Sequence, residues 1–437
     1  MSPPQDTGKA IVDLPIELRQ AILGFMPDLS SLINTTKSCS AFYQAFVEAH
    51  QRIVSQVFLR EMDAELLPEA ISVLESSHKT WTRESLLEFI TRTLDSREVS
   101  KGSWSMTEAI STVGFYHQVH DLAIDFATKS IRGRCDGTPL SQAELNRFER
   151  AFYRYELYCN LFKDYNYPFL SLEEQKYVFF SKFSPWENEQ LDCVHGYLLR
   201  LIAPGKLSDF KNLLSILTRI DFDDIAEHDI VWGEMCVDYS DHHNPYYLEP
   251  TLARGISSIC LIVAADGYAA KYDLFDSEYP QWSDQFLYEA LNAANASDDG
   301  IELEDYTIDD EISNITAPFF RDVDPGPEYV WRSLHEMRSR AYFVNSESLI
   351  STRGWGYVVW DRSRLDGMGI FEDDWVEPEA EPPSEDIIRR REQRIASTQC
   401  RGEIYWAGGR GWWSFSDESK VAWPNRREPN GQPTRSR

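Results

Sequence analysis

Four Ser-x-x-Glu signals constrain this chain more than any other feature: Ser105-Met-Thr-Glu108, Ser141-Gln-Ala-Glu144, Ser171-Leu-Glu-Glu174 and Ser184-Pro-Trp-Glu187. In such a box the serine hydroxyl accepts from the backbone N–H three residues on. The glutamate reaches back to the serine's own N–H, so each box marks a helix start. Pro185 then falls at a first helical position, where its missing N–H is no loss. After Ser141, Leu145, Phe148, Phe152, Tyr155, Cys159 and Phe162 recur at spacings of three and four, an ordinary packing stripe. No fixed-period repeat of the WD40, leucine-rich or ankyrin kind is present. The pattern over 64–345 therefore predicts an irregular helical bundle or solenoid, and the fold class is mainly α.

The segment "LPIELRQAILGFMPDLSSLINTTKSCSAFYQAF" (14–46) carries more apolar surface than a short unit hides by itself. Pro15 suits a first helical turn and Glu17 its positive end. Leu14, Leu18, Ile22 and Phe25 follow at spacings of four, four and three, which places them on one face. Gly24 and Pro27 stop that helix. Asp28 is a cap for a second, carrying Leu29, Leu32 and Ile33. A third helix is expected from near Ser38, with Cys39, Phe42 and Phe46, continuing through Ile53 and Val57. A three-helix core of about 40 residues lies near the size that rarely stabilises itself. Each large apolar side chain left exposed forgoes about 1.5–3 kcal/mol of burial. The surplus calls for a further surface, either a partner or the rest of this chain.

The order Leu-Pro-x-Glu-Leu, Ile-Leu, Asp-Leu-x-x-Leu, Ser-Cys-x-x-Phe within residues 12–58 resembles an F-box. The resemblance implies a three-helix adaptor module that docks onto a Skp1-type protein and, through it, a cullin. By the same resemblance Leu14, Pro15, Leu18, Ile22, Leu29, Leu32, Cys39 and Phe42 would lie at or behind the adaptor interface. Phe42 stands where a large aromatic is expected, and the third helix has no tryptophan. "RAFYRYELYCNLF" (150–162), "STRGWGYVVWDRSRL" (351–365) and "YWAGGRGWW" (405–413) are similar to segments of F-box-type proteins of filamentous fungi. The implied role is that of a substrate receptor.

Residues 346–423 form an aromatic-rich, β-containing segment. "GWGYVVWD" (354–361) and "GEIYWAGGRGWWSF" (402–415) read as strands with glycine turns, expected to pair as a ribbon. Trp355, Trp360, Trp406, Trp412 and Trp413 serve either as packed core or as a sugar- or peptide-binding groove, packing being favoured. "FEDDWVEPEAEPPSED" (371–386) reads as a mobile acidic insertion. "RRREQR" (389–394) falls on a helix from near Ser384, with Glu385 and Arg389, and Asp386 and Arg390, as i,i+4 pairs rather than as a nuclear signal. Residues 424–437 read as a disordered tail.

Asp plus Glu number 71 against 43 Lys plus Arg, a formal charge of −28. That balance opposes nucleic-acid wrapping and docking on anionic membranes. The longest apolar run, "ISSICLIVAA" (256–265), is too short to span a bilayer, and the amino terminus lacks the pattern of a secretory signal. Seven scattered cysteines without C-x-x-C predict reduced thiols in an intracellular protein, cytoplasmic or nuclear.

Motifs for chemistry are weak. "APGKLSD" (203–209) lacks the first glycine and the Ser/Thr of a phosphate loop, and "RGISSIC" (254–260) has Ile259 where a nucleophile elbow needs glycine. The acidic run 295–311 lacks calcium-loop spacing. "HQVH" places His117 and His120 one turn apart without a third ligand. "CVDYSDHHNPYY" gathers Cys236, Asp238, Asp241, His242 and His243 before a turn, where adjacent histidines point apart. No cofactor or metal is expected. The leading expectation is a non-catalytic receptor for a protein substrate, with no nucleic acid or membrane as partner. The alternatives are an F-box-like scaffold acting outside a ligase and a metal-dependent or hydrolytic enzyme.

Overall fold

The computed structural model describes residues 11, 14–77, 79–95, 103–131, 138–163, 170–202, 228–229, 248–265, 274, 286–287, 289–291, 322–334, 350–372, 375, 396–397, 399–414 and 417–424. The fold is mainly α. It divides into two compact units, one of Met1–Leu198, Leu252–Ser258 and Pro280–Glu377, the other of Leu199–Thr251, Ile259–Tyr279 and Pro378–Arg437. The acidic run 295–311, the 203–209 segment, the Cys236–His243 cluster, the 384–394 segment and nearly all of 373–395 and 424–437 lie outside the described residues.

The first unit opens with α1 (Ile16–Gly24), α2 (Leu29–Ser38) and α3 (Ser40–Glu61), followed by α4 (Leu67–Ser76), α5 (Arg83–Ile90), α6 (Met106–Ile131), α7 (Gln142–Phe162), α8 (Leu172–Val178) and α9 (Pro185–Ile202). All four capping boxes form. Ser141 and Ser171 each accept from the N–H of the glutamate three residues on, and Glu144 and Glu174 accept in return. Glu108 and Glu187 likewise accept from the N–H of Ser105 and Ser184. Each closed box satisfies amides that a helix start leaves without partners.

At the centre of this unit lies α7, with α4 and α6 packed on it. Its apolar stripe is sealed: Phe148, Phe152, Tyr155 and Cys159 are buried, with Phe148 edge-on to Phe126 of α6 and to Trp360. Its charged residues are sealed too, which helical periodicity alone does not predict. Glu144, Arg147, Glu149 and Arg154 are all buried. A charge so deep is tolerated only when paired and hydrogen-bonded. Arg147 pairs with Asp322 and Asp361 and donates to the Val359 carbonyl at 2.8 Å. Glu144 receives Arg364, and Arg154 pairs with Glu187 of α9. On α9, Glu189 and Asp192 share Arg353 at 2.8 and 2.9 Å.

Most of these partners come from one stretch, residues 350–367, and here the strand expectation fails. After the short helix Ile350–Arg353, residues 354–361 form a turn and a 3-10 turn at Tyr357–Val359 rather than a strand. Gly356 takes a left-handed φ of 63°, which a strand does not permit and glycine does. Side chains replace a ladder: Arg147 meets the Val359 carbonyl and Gln190 donates to that of Val358 at 2.9 Å. Trp355, Tyr357 and Trp360 are buried, so the tryptophans of this stretch serve as core. The helix Arg362–Gly367 then brings Arg364 onto Glu144 and the carbonyls of Thr138 and Pro139.

Residues 252–258 cross α7 at its far end. The Tyr155 hydroxyl donates to the Leu252 carbonyl at 2.7 Å, and Glu156 accepts from the Ile256 N–H at 2.7 Å. Between them Gly255 has φ 88°, and a Cβ there would lie 2.6 Å from Glu156 Oε2. That close approach needs glycine. Ser257 donates to Gln118, so the "RGISSIC" stretch is a crossing loop and helix start.

In the second unit, β2 (Arg410–Trp413) lies between β1 (His228–Asp229) and β3 (Val421–Ala422), antiparallel to both. Residues 402–406, read from sequence as strand, are helical. Ile404, Trp413 and Val421 form a small core, with Cys400 and Tyr405 against it. Here the β-ribbon near the carboxyl terminus is real, but its partners are 410–413 and 421–422.

Replacing Arg147 by Met should leave the half-buried Asp322 and Asp361 without their cation. The loss should be at most about 3–5 kcal/mol, the cost of breaking a fully buried pair, because both carboxylates keep some contact with water. Urea denaturation followed by far-UV circular dichroism measures it; a change below about 1 kcal/mol would show that the network is not structural.

Glu69 of α4 offers a pH test. It is buried, neither carboxylate oxygen has a hydrogen-bond partner, and burial pushes its pKa up to about 7. A carboxyl with a raised folded pKa binds more protons folded than unfolded between 4.5 and about 7. Stability therefore falls as pH rises through that window, at up to about 1.4 kcal/mol per pH unit for one such group. Glu69→Gln should flatten the decline between pH 5 and pH 7, read from urea midpoints across the range.

Candidate docking surface

The amino-terminal three helices form the surface that the sequence singles out. Asp28 caps α2, accepting from the Ser31 N–H at 2.6 Å. The third helix starts at Ser40, not Ser38, because Cys39 is extended (φ −157°, ψ 157°) and stands at its cap. Gln20 accepts from Arg52 at 2.8 Å, and Arg60 donates to the carbonyls of Gly24 and Met26. These pairings run α1 alongside α3 in the same sense. A Cβ on Gly24 would meet only the end of the exposed Gln56 side chain, which can swing away.

Two faces of α3 are in use. Phe42, Ala45, Ile53, Val54, Val57 and Phe58 are buried, and with Leu23, Leu29 and Leu32 they make the core. The carboxyl-terminal half of α3 also faces the body. Phe58 lies over Trp104 with ring centroids 4.0 Å apart, and Ser55 Oγ accepts from the Trp104 N–H. A break at Ala49 (φ −134°, ψ 23°) separates that half from the amino-terminal half. Part of the apolar surplus of residues 14–58 is thus spent inside this chain.

The rest is not. Leu18 is 52% exposed and Phe25 77% exposed. Pro15 is exposed beside them, while Leu14, Ile22 and Cys39 are half-buried. Leu29, Leu32 and Phe42 are sealed behind this surface. The eight residues carried over from the resemblance therefore split into an outer set and a core set. Periodicity does not pick out Tyr43, Val47 and Leu59 of α3, which are exposed as well. It also leaves out Leu23, the buried apolar side chain of α1, because the 14/18/22/25 stripe turns largely outward. The Arg60 guanidinium lies 5.4 Å from the Phe25 ring centroid, covering one face of that ring.

The paired histidines of α6 do not converge. His120 Nδ1 lies 2.7 Å from Glu149 and His117 Nε2 3.4 Å from Glu61, each on its own carboxylate. Among the described residues no group of three or more His, Cys, Asp or Glu side chains is arranged to hold a metal ion. No described helix is long and apolar enough to cross a membrane. Comparison with known proteins finds no matching family model, no matching curated protein and no matching solved structure.

The split between outer and core residues gives a stability test. Leu23→Ala should cost about 2–5 kcal/mol, as for a sealed core leucine, whereas Leu18→Ala should stay within about 0.5 kcal/mol of the parent. Thermal unfolding of the two variants side by side decides it. Equal losses would mean that Leu18 is core.

Proposed function

We propose that this protein is a non-catalytic F-box substrate receptor, whose amino-terminal helices dock a Skp1-type adaptor and through it a cullin. The observation that carries the reading is the pairing of an F-box-like residue order with an outward apolar stripe on α1. Leu18 and Phe25 stay exposed while the leucines behind them are sealed. An exposed apolar patch backed by a rigid core suits protein docking better than chemistry. The buried carboxylates Glu144 of α7 and Glu189 of α9 fit that view, since they hold arginines that tie the body together.

Leu18→Asp places a charge in that contact. Loss of leucine burial contributes about 1.5–3 kcal/mol, and desolvating an unpaired carboxylate adds to it. Together they amount to two or more decades of affinity. Pull-down with a recombinant Skp1-type adaptor should fail for Leu18→Asp while its melting temperature matches the parent. Ile124→Asp, at an exposed apolar position on α6, should bind normally. Undiminished binding by Leu18→Asp would remove α1 from the interface. Adaptor capture without a cullin in the co-purified complex would favour a scaffold acting outside a ligase.

A further inference from the structure

We propose that the exposed seam of α6 pairs antiparallel with the same seam of a second copy of this chain, forming a weak, reversible homodimer. The proposal does not rest on the adaptor reading, because a different helix carries it.

The seam follows from helical register. Along α6, Ile110, Gly114, His117, Asp121, Ile124 and Thr128 are exposed, while Val113, Val119 and Ala123 behind them are buried. The exposed positions recur at four, three, four, three and four, the seam spacing of a two-stranded coiled coil. At about 1.5 Å per residue they run for about 27 Å. Ile110 is 45% exposed and Ile124 39% exposed. Between them Gly114 has open space where a Cβ would stand. Glycine inside a helix is unfavourable, and nothing in its own chain requires it at this position.

The pattern complements itself in one orientation. In an antiparallel pair with its two-fold axis beside Val119, Ile110 meets the partner's Thr128 and Ile124 meets the partner's Gly114. His117 meets the partner's Asp121, and symmetry repeats every contact. Ile124 then fills the opening at glycine, and each imidazole stands opposite a carboxylate, a favourable pair wherever the ring is charged. His117 Nε2 lies 3.4 Å from Glu61 of α3, which leaves Nδ1 for the partner's carboxylate. A parallel pair would instead set Asp121 against the partner's Asp121 and leave a gap between two glycines. Each chain carries a charge of −28, but repulsion beyond about 8 Å is screened at physiological salt, so the seam decides. One helix face is smaller than a standard interface, which makes the dimer weak rather than obligate.

The test is sedimentation velocity on the full chain at physiological salt and about pH 6, where an ordinary imidazole is mostly charged. The expected result is a monomer–dimer equilibrium in the micromolar range. Gly114→Gln should weaken it about tenfold, because the added side chain takes the space of the incoming isoleucine. The same substitution should raise the melting temperature, since a side chain there meets nothing in its own chain and glutamine favours helix. His117→Glu and Asp121→Lys should each fail to self-associate, because like charges then face each other across the axis. An equimolar mixture of those two variants should associate, because both layers regain opposite charges; damage to the fold would give no such rescue. Leu18→Asp should leave the association unchanged. A parent chain that stays monomeric throughout the micromolar range overturns the proposal. So does undiminished association of Gly114→Gln, or loss of association in a folded Leu18→Asp, which would move the contact to α1.

Discussion

The first unit depends on the burial of α7 on every side. A surface helix leaves its charged residues in water, but α7 carries Glu144, Arg147, Glu149 and Arg154 into the interior, and each needs a partner there. The rest of the unit is arranged around that need. Arg147 draws in Asp322 and the 359–361 turn, Glu144 draws in Arg364, and Arg154 fixes α9 through Glu187. Segments more than 170 residues apart in sequence thereby meet at one helix, as the separations of 175 and 220 residues in the Arg147–Asp322 and Arg364–Glu144 pairs record.

The same constraint explains the 350–367 stretch. Its tryptophans and valines suggest a strand, yet the carbonyls of Val359 and Val358 are met by Arg147 and Gln190, and Trp360 is met by Phe148 of α7. Once side chains satisfy the backbone, a ladder is unnecessary, and Gly356 supplies the turn. The amino-terminal helices stand apart from this network. They are joined to the body by apolar contact of Phe58 with Trp104, and their polar contacts are largely local, such as Arg19 to the Ala41 carbonyl. An exposed apolar face is tolerated on such an element, because the buried-charge network of the body does not pass through it.

Local chemistry was legible in sequence. The serine–glutamate boxes, the Asp28 cap, the stop at Gly24 and the α7 stripe are each settled within one or two turns of chain. The candidate surface was legible in part. Leu18 and Phe25 followed from periodicity, but whether that stripe faced in or out did not, since Leu23 on the other side of the helix is equally apolar. His117 and His120 looked like a pair, and their separate carboxylates came from α3 and α7. The ribbon needed the pairing of β2 with both β1 and β3, segments distant from it in sequence, before it existed at all.

By itself the sequence determined the mainly α class, the starts of its capped helices and the apolar excess at the amino terminus. Those depend on hydrogen bonds and spacings within a few residues. Only the tertiary structure decided which apolar faces are sealed, that the polar side of α7 is buried, and that 354–361 turns instead of extending. Those outcomes depend on partners hundreds of residues away. A charge or a carbonyl takes whichever distant group satisfies it, and nothing in its local sequence names that group.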